Sequence, residues 1–200
     1  MTTFEHAMLG IDLVIASGLD RRYGWRLVAM AGVAAVLPDW DGISFSIHRA
    51  WGHGILPCFL VALMWGLMDY RFDLISRAAS RMTRLVRVTV PDGLLDVRTG
   101  FSKGEAAIWC VVSVIATQTH APCDMIVSGT KSLPDWEVLW FWPFSSEGYV
   151  YPLISWGDVG ITAILFAGMF VMLRYREQRQ YVACGALALS AVYAVVSGLM

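Results

Sequence analysis

Histidine and aspartate side chains carry most of the chemistry that this sequence could perform. The 200-residue chain has four histidines, and aspartates stand near several of them. Imidazole and carboxylate groups together suit zinc, manganese or iron, so these residues are candidates for a metal site. They are His6, His48, His53, His120, Asp39, Asp41, Asp124 and Asp158.

Two short spacings strengthen the interpretation as metal ligands. His120 and Asp124 stand four residues apart, so on a helix both project from one face, as two ligands of one ion must. Asp39 and Asp41 follow Pro38, and residues two apart in an extended turn point to the same side. A metal held in this way could activate a water molecule for hydrolysis, and an uncoordinated carboxylate could act as general base.

Some of these residues also have a purely structural interpretation. Asp158 suits the N-cap of a following helix as well as it suits a metal. His6 could mark a helix start at a membrane interface, and Asp39 and Asp41 could be plain turn residues. Asp12 lies inside the first predicted helix, about 240° around from His6, and is left out of the site.

Long apolar segments must position these groups. Hydrophobic residues make up 57% of the chain and its mean hydropathy is +0.58, which is high for a soluble globule. Crossing a bilayer core of about 30 Å takes roughly 17–25 helical residues, and the charge-free run Gln180–Met200 is long enough alone. The sequence predicts a single all-α membrane domain over 1–200, a polytopic bundle of about six helices. The predicted helices are 5–19, 25–37, 54–70, 104–125, 157–174 and 181–199, of which the first two are short.

Two connections between these helices have distinct compositions. The polar insert 71–103 begins with Arg77, Arg81 and Arg84 on one helical face, which is typical of a basic amphipathic helix on an anionic leaflet. A short hairpin around residues 91–93 is predicted next, and a solvated connector is the alternative for the whole insert. The loop 128–156 is rich in tryptophan, tyrosine and phenylalanine, as a membrane interface would be.

The positive charges fix an expected orientation. If six helices alternate, all lysines and arginines except Arg49 and Lys131 fall on one side of the membrane. The positive-inside rule then places both termini, the four histidines and the loop 128–156 on the non-cytoplasmic side. The net charge of −1 gives no indication of nucleic-acid binding.

An ordered series of short motifs resembles one known family, the bacterial YdjM-like membrane-bound metal-dependent hydrolases. That family shows an N-terminal histidine, LPDxDH, HRGxTHS, HxxxD on a helix, and a WPF-type loop. The corresponding segments here are His6, Leu37-Pro38-Asp39-Trp40-Asp41, His48-Arg49-Ala50-Trp51-Gly52-His53, His120-x-x-x-Asp124 and Trp142-Pro143-Phe144-Ser145. The pattern departs from the family at Gly42, which stands where histidine is frequent. It departs again at Ala50, Gly52 and Gly54, which replace Gly, Thr and Ser.

The resemblance implies a location, a cofactor and a set of roles. It implies a multi-pass protein of the bacterial inner membrane that binds a divalent metal, with zinc favoured over manganese or iron. The implied ligands are His6, Asp39, Asp41, His48, His53, His120 and Asp124. The residues expected to serve catalysis are Asp39, Asp41, His53 and Asp124.

The expected reaction is hydrolysis of a phosphoester or lipid-linked substrate at the outer membrane face, and membrane lipid is the expected partner. Residues 136–151 would form an interfacial lid, and Arg49 could hold a substrate phosphate. The competing interpretation is a non-catalytic metal-binding membrane protein: a transporter, a sensor, or a scaffold that recruits a partner through the insert 71–103. Transport predicts polar groups through the whole membrane depth, whereas these cluster at one end.

Overall fold

The computed structural model describes residues 1–43, 49, 51–91, 93–98 and 100–200, and these form helices and loops without a β-strand. Every helix that the sequence predicts is present, and shorter helical segments join them. The α-helices are α1 Thr3–Ala16, α2 Leu19–Tyr23, α3 Trp25–Val36, α4 Ile55–Phe72, α5 Leu74–Leu85, α6 Lys103–Gln118, α7 His120–Ile126, α8 Val159–Arg174 and α9 Arg179–Leu199. Short 3-10 segments cover Leu37–Ile43 and Arg176–Gln178.

Three helical segments are long and apolar enough to cross a membrane, namely Ile55–Phe72, Lys103–Ile126 and Arg176–Leu199, and α8 is a shorter apolar helix. Large apolar side chains on these segments point outward, among them Leu60, Met64, Phe170 and Val192. Such side chains suit contact with lipid, and the predicted membrane helical bundle is confirmed.

Helices α1 and α3 are too short to cross the bilayer alone. With 14 and 12 residues they measure about 20 Å, against a hydrocarbon core of about 30 Å. They pack tightly along each other, because a Cβ on Gly10 would lie only 2.6 Å from the carbonyl oxygen of Ala31. Helix α1 also packs on α9, α3 on α6, α4 on α6, and α8 on α9.

The predicted helix 104–125 is divided in the structure. Helix α6 ends at Gln118 and α7 begins at His120. Pro122 has no backbone N–H, so it cannot bond to the carbonyl of Gln118, and a helix commonly bends at such a position. The division therefore falls at the histidine that the sequence singles out.

The insert 71–103 is helical at first, as predicted, but the predicted hairpin after it is wrong. Helix α5 exposes Arg77, Arg81 and Arg84, and the described residues that follow it form no strand. The backbone carbonyls that a hairpin would pair accept hydrogen bonds from side chains of the bundle instead. The acceptors are Leu94, Leu95 and Asp96, and their donors are Trp25, Ser80 and Arg26 respectively.

A buried polar cluster, here called the polar anchor, holds the insert against the bundle. It consists of Asp69, Asp73, Ser76, Arg98 and Trp109. Asp73 accepts hydrogen bonds from the Ser76 hydroxyl at 2.9 Å and from the backbone N–H of Arg98 at 2.7 Å. Asp69 accepts from the indole N–H of Trp109 at 3.0 Å. Because α4 ends here, the polar anchor lies at the opposite end of the bundle from residues that precede α4.

Candidate metal centre

Four separate segments bring five of the predicted site residues together. This histidine cluster comprises His6 of α1, Asp39 of the 3-10 segment after α3, His53 just before α4, and His120 and Asp124 of α7. They meet because α1 and α4 begin, and α3 and α6 end, at the same end of the bundle. The three histidines and Asp124 are buried, whereas the side chain of Asp39 stays 24% exposed.

Asp124 lies at the centre of the histidine cluster. Its Oδ1 atom is 3.0 Å from Nε2 of His6, and its Oδ2 atom is 3.3 Å from Nε2 of His53. Nε2 of His120 is 3.8 Å from Oδ2. The amino group of Met1 and the guanidinium of Arg49 also contact this carboxylate. One carboxylate is thus surrounded by the nitrogen atoms that a metal ion would share with it.

The hydrogen bonds of His120 determine which of its nitrogens faces the cluster. Its Nδ1–H donates to the carbonyl of Ala35 at 2.7 Å, and since a carbonyl only accepts, the proton must be on Nδ1. In a neutral ring Nε2 then carries a lone pair, 3.2 Å from Oδ1 of Asp39. A lone pair that faces a carboxylate is repelled unless a proton or a metal ion lies between them.

His53 is placed between two carboxylates. Its Nδ1 is 3.2 Å from Oδ2 of Asp41, and its Nε2 faces Asp124. Burial disfavours the charged imidazole, but the hydrogen bonds to Asp124 and Asp41 outweigh burial and raise the pKa of His53. Asp41 also accepts from the backbone N–H of Gly52 at 2.9 Å. Among the described residues, Asp41 therefore contacts His53 at the nitrogen that faces away from Asp124 and belongs to neither of the ligand sets given below.

Two overlapping sets of side chains could hold a metal ion among the residues that the structure describes. One is His6, His120 and Asp124, the other is Asp39, His53 and His120, and in each set one ligand atom per residue lies within 4.8 Å of the others. The rings of His6 and His120 stack with centroids 3.6 Å apart. Protonating both would set like charges in contact inside a buried site, whereas one divalent ion would satisfy both nitrogens.

Asp39 is the carboxylate of the cluster with most access to solvent. Burial opposes its ionisation, but the His120 imidazole and the hydroxyl of Thr3 outweigh that effect and lower the pKa of Asp39 to about 2. The Thr3 hydroxyl donates to Oδ2 at 2.7 Å. The sequence reasoning missed Thr3, although Thr2 and Glu5 form a capping box that could have located the start of α1 beside the cluster.

The remaining candidates lie elsewhere or are not described. His48 is outside the described residues. Asp158 is an N-cap, since its Oδ1 accepts from the backbone N–H groups of Gly160 and Ile161 at 2.8 and 3.1 Å. Asp12 is buried in α1 and belongs to neither ligand set.

Gly52 permits the approach of the His53 loop to the Asp41 segment. A Cβ at this position would lie 2.2 Å from the carbonyl oxygen of Pro38 and 2.9 Å from the Asp41 carboxylate. The Thr that the resembled pattern has at this position would therefore not fit this backbone. The departure at Gly52 is part of the packing that holds Asp41 against His53.

A cavity of about 910 Å³ adjoins the cluster, and both Asp39 and Asp124 line it. Its other walls include Arg49, Gly42 and the aromatic residues Trp136 and Trp156. The loop 128–156 reaches the site through two backbone hydrogen bonds, from Leu139 N–H to the carbonyl of Arg49 and from Ile55 N–H to the carbonyl of Trp140. A substrate in this cavity would lie against both the carboxylates and the aromatic loop.

Comparison with known proteins gives a family and a location. Residues 1–200 match the family described as YdjM inner membrane protein. A 109-residue part is 34% identical to the histidine protein kinase DivJ of Caulobacter vibrioides, covering 52% of this chain and 17% of that protein. The chain thus matches less than a fifth of the kinase. No solved structure matches. With its apolar helices, the match over its whole length shows that this chain belongs to the YdjM family of bacterial inner membrane proteins.

Proposed function

We propose that this protein is a membrane-bound metal-dependent hydrolase whose metal is held by the histidine cluster. The observation that carries the proposal is the convergence of three buried imidazoles on two carboxylates. The Met1 amino group and Arg49 already contact Asp124, whereas the Nε2 lone pair of His120 faces Asp39, and a cation between these two atoms would relieve their repulsion. The donor set suits zinc, with manganese or iron as alternatives.

The ligand roles divide between direct and supporting residues. His6, His53, His120, Asp124 and Asp39 would bind the ion through the atoms that converge. Asp41 would act as a positioning residue, because a carboxylate that accepts Nδ1–H from a metal-binding histidine fixes the ring and its tautomer. The carbonyl of Ala35 has the same effect on His120.

One ion suits this arrangement better than two. The Nδ1 atom of His120 is occupied by the Ala35 carbonyl, so His120 has a single nitrogen to offer. The two ligand sets share that nitrogen, and one nitrogen binds one ion. The two sets would therefore bind the same ion, with His120 as their common ligand.

When bound, a divalent metal supplies Lewis acidity and lowers the pKa of water at the site. The protein must then hold the ion and shield the reaction from bulk water. Asp39 faces the cavity and is the most exposed carboxylate of the cluster, and its pKa of about 2 suits a ligand that stays ionised rather than a proton acceptor. Burial of His53, His120 and Asp124 keeps bulk water from the ligands themselves.

The substrate in this proposal is a phosphoester or a lipid-linked compound that reaches the site at the non-cytoplasmic face. The distribution of lysine and arginine supports this orientation. Labelling of single cysteines in intact cells tests it, using Ser132→Cys in the loop 128–156 and Arg87→Cys in the insert. An impermeant reagent should label the former and not the latter, and the opposite result would place the site in the cytoplasm.

The decisive experiment measures the metal content of detergent-purified protein after zinc is supplied. The wild type should hold close to one zinc per chain, and His120→Ala should hold almost none. A folded wild-type protein that takes up no metal would overturn the proposal and leave a scaffold role as the better explanation.

A matched control separates ligand loss from damage to the helix interface. Thr117 lies one turn before His120, is equally buried, and donates to the carbonyl of Ala34 at 2.8 Å. Thr117→Val removes a similar bond to the same helix without touching the cluster. This variant should keep its zinc, and equal losses in both variants would mean that His120 acts through packing.

A further inference from the structure

Arg49 is an arginine in an unusual position. Only 4% of it is exposed, and its backbone φ is +64°, in the left-handed region that residues other than glycine adopt infrequently. Strained backbone of this kind persists where the surrounding structure requires a particular side-chain position. The side chain that it places lines the cavity beside Asp39 and Asp124.

The contacts of the Arg49 guanidinium leave its Nε–H unused. One Nη donates to the carbonyl of Trp136 at 2.8 Å and to that of Asp124 at 3.3 Å, and the other is 3.3 Å from Oδ2 of Asp124. The Trp136 ring stacks beneath the guanidinium, at 5.2 Å. The Nε–H is buried and has no hydrogen-bond partner among the described residues. Since buried donors are nearly always paired, this Nε–H is a candidate to donate to an acceptor that a bound molecule brings.

The charges around the cavity restrict what that acceptor can be. The carboxylates of Asp39, Asp124 and Glu137 line the same space and outnumber its two cationic groups, Arg49 and the Met1 amino group, so an anion is disfavoured at the site without a metal ion. With a divalent ion in the histidine cluster, an anionic group could contact the ion and Arg49 together. A phosphoryl group has enough oxygen atoms to do both, and the guanidinium fork matches its geometry.

We infer that Arg49 binds the phosphoryl group of the substrate, so that the hydrolase acts on phosphoesters. This inference rests on the proposed function, because the anion is admitted only when the metal is present. Arg49 thus binds substrate directly while it also holds the Trp136 loop against Asp124.

The test uses zinc-loaded, detergent-purified protein and inorganic [³²P]phosphate in equilibrium dialysis. The wild type should bind about one phosphate per chain, and removal of zinc should abolish binding. Arg49→Lys keeps the positive charge but loses the paired N–H donors of the planar guanidinium. This variant should bind phosphate at least about tenfold more weakly, with unchanged zinc content. As a control, Arg179→Lys alters an arginine that pairs with buried Asp20 at 2.6 Å in a different part of the chain, and should bind phosphate normally.

A second measurement needs no variant of Arg49. In NMR spectra of the zinc-loaded wild type, the Nε–H resonance of Arg49 should shift when phosphate is added, whereas that of exposed Arg77 should not. An Arg49 resonance that does not respond to phosphate would overturn the inference, as would phosphate affinity in Arg49→Lys within about twofold of the wild type.

Competitors distinguish a lipid headgroup from a free phosphate compound. If dioctanoyl phosphatidic acid displaces phosphate far better than glycerol 3-phosphate, the substrate is a phospholipid, and if they compete equally the phosphoryl group alone is recognised. Both results support binding at Arg49. Zinc uptake without phosphate binding would overturn this inference alone, whereas absence of zinc uptake would overturn the proposed function and the inference with it.

Discussion

The histidine cluster and the polar anchor bury carboxylates at opposite ends of the same bundle, yet their partners differ in kind. In the polar anchor, Asp69 and Asp73 accept from groups that keep their proton at neutral pH: backbone N–H, a hydroxyl and an indole. In the histidine cluster, Asp124 and Asp39 face imidazole nitrogens that can donate, accept or bind a metal. The chemical nature of the partners, and not the burial of the carboxylates, therefore distinguishes the proposed metal site from the polar anchor.

The two clusters also differ in what they hold together. The polar anchor ties α5 and the segment after it to the end of α4, so its bonds serve the fold locally. The histidine cluster joins four segments distant in sequence around a cavity that is open to substrate. The comparison predicts that changes in the polar anchor alter stability, whereas changes in the histidine cluster alter metal binding.

The largest effect is expected from Asp73→Ala. The substitution leaves Ser76 and the backbone N–H of Arg98 without their buried acceptor, removes the charge near Arg26, and puts alanine at a φ of +48°. We expect a loss of about 3 kcal/mol in the free energy of unfolding, measured by chemical denaturation in detergent. Zinc content should stay at the wild-type value, and a parallel loss of zinc would break the distinction between the two clusters.

A smaller effect, on zinc affinity instead of stability, is expected from Asp41→Asn. The amide cannot replace the anionic acceptor behind Nδ1–H of His53, so zinc affinity should fall about 10- to 100-fold without being abolished. Competition with a chelating indicator measures the change. Asp158→Asn serves as the control, because asparagine also caps a helix and α8 should be unaffected. Complete loss of zinc in Asp41→Asn would instead make Asp41 a direct ligand, as the sequence alone predicts.

A third prediction concerns pH, and follows from the raised pKa of His53. In metal-free protein a proton occupies the nitrogen that zinc needs, so zinc affinity should rise about tenfold per pH unit until the pH passes that pKa. Over the same pH range, the free energy of unfolding of the metal-free protein should fall as the pH rises. Because the folded pKa lies above the ordinary 6.5, the contribution of protonated His53 is fully present below 6.5 and is lost as pH rises through the folded pKa.

Calorimetric titration with zinc across pH 5.5–8.5 measures the affinity, and thermal unfolding of metal-free protein measures the stability. In Asp41→Asn the inflection in zinc affinity should move to lower pH, because one of the two carboxylates that raise the pKa is gone. An affinity that is flat across this range would show that His53 releases no proton to the metal.

The sequence predicted the six main helices, two of them short, and the placement of His6, Asp39, His53, His120 and Asp124 at one end of the bundle. Charge-free runs predict membrane helices well, because lipid cannot satisfy polar backbone groups outside a helix. Residues at helix ends can be assigned to one side of the membrane by alternation alone. The order of the helices along the chain was therefore enough to predict that these residues lie at one end of the bundle, although it gives no distances between them.

What the sequence could not predict depends on contacts between segments that local patterns do not describe. The predicted hairpin after α5 failed because Trp25, Ser80 and Arg26 bind its carbonyls, which local patterns in 85–98 cannot reveal. The position of Asp41 behind His53 depends on how closely the Gly52 backbone approaches Pro38. Such an approach is decided by packing and not by the spacing of the two aspartates.

The smallest effect is expected from Asp12→Asn, which tests the metal-transporter interpretation. Asp12 is buried within α1, and its Oδ2 atom has no hydrogen-bond partner among the described residues, so it resembles neither cluster. For a hydrolase with its metal at one end, the neutral amide should leave zinc content unchanged and shift the free energy of unfolding by no more than about 1 kcal/mol. A transporter would need a polar group at this depth, since ions must pass through the bundle. Zinc uptake into proteoliposomes that is present in the wild type and lost in Asp12→Asn would therefore favour transport, whereas its absence in both would argue against transport and is the result that a hydrolase with its metal at one end of the bundle predicts.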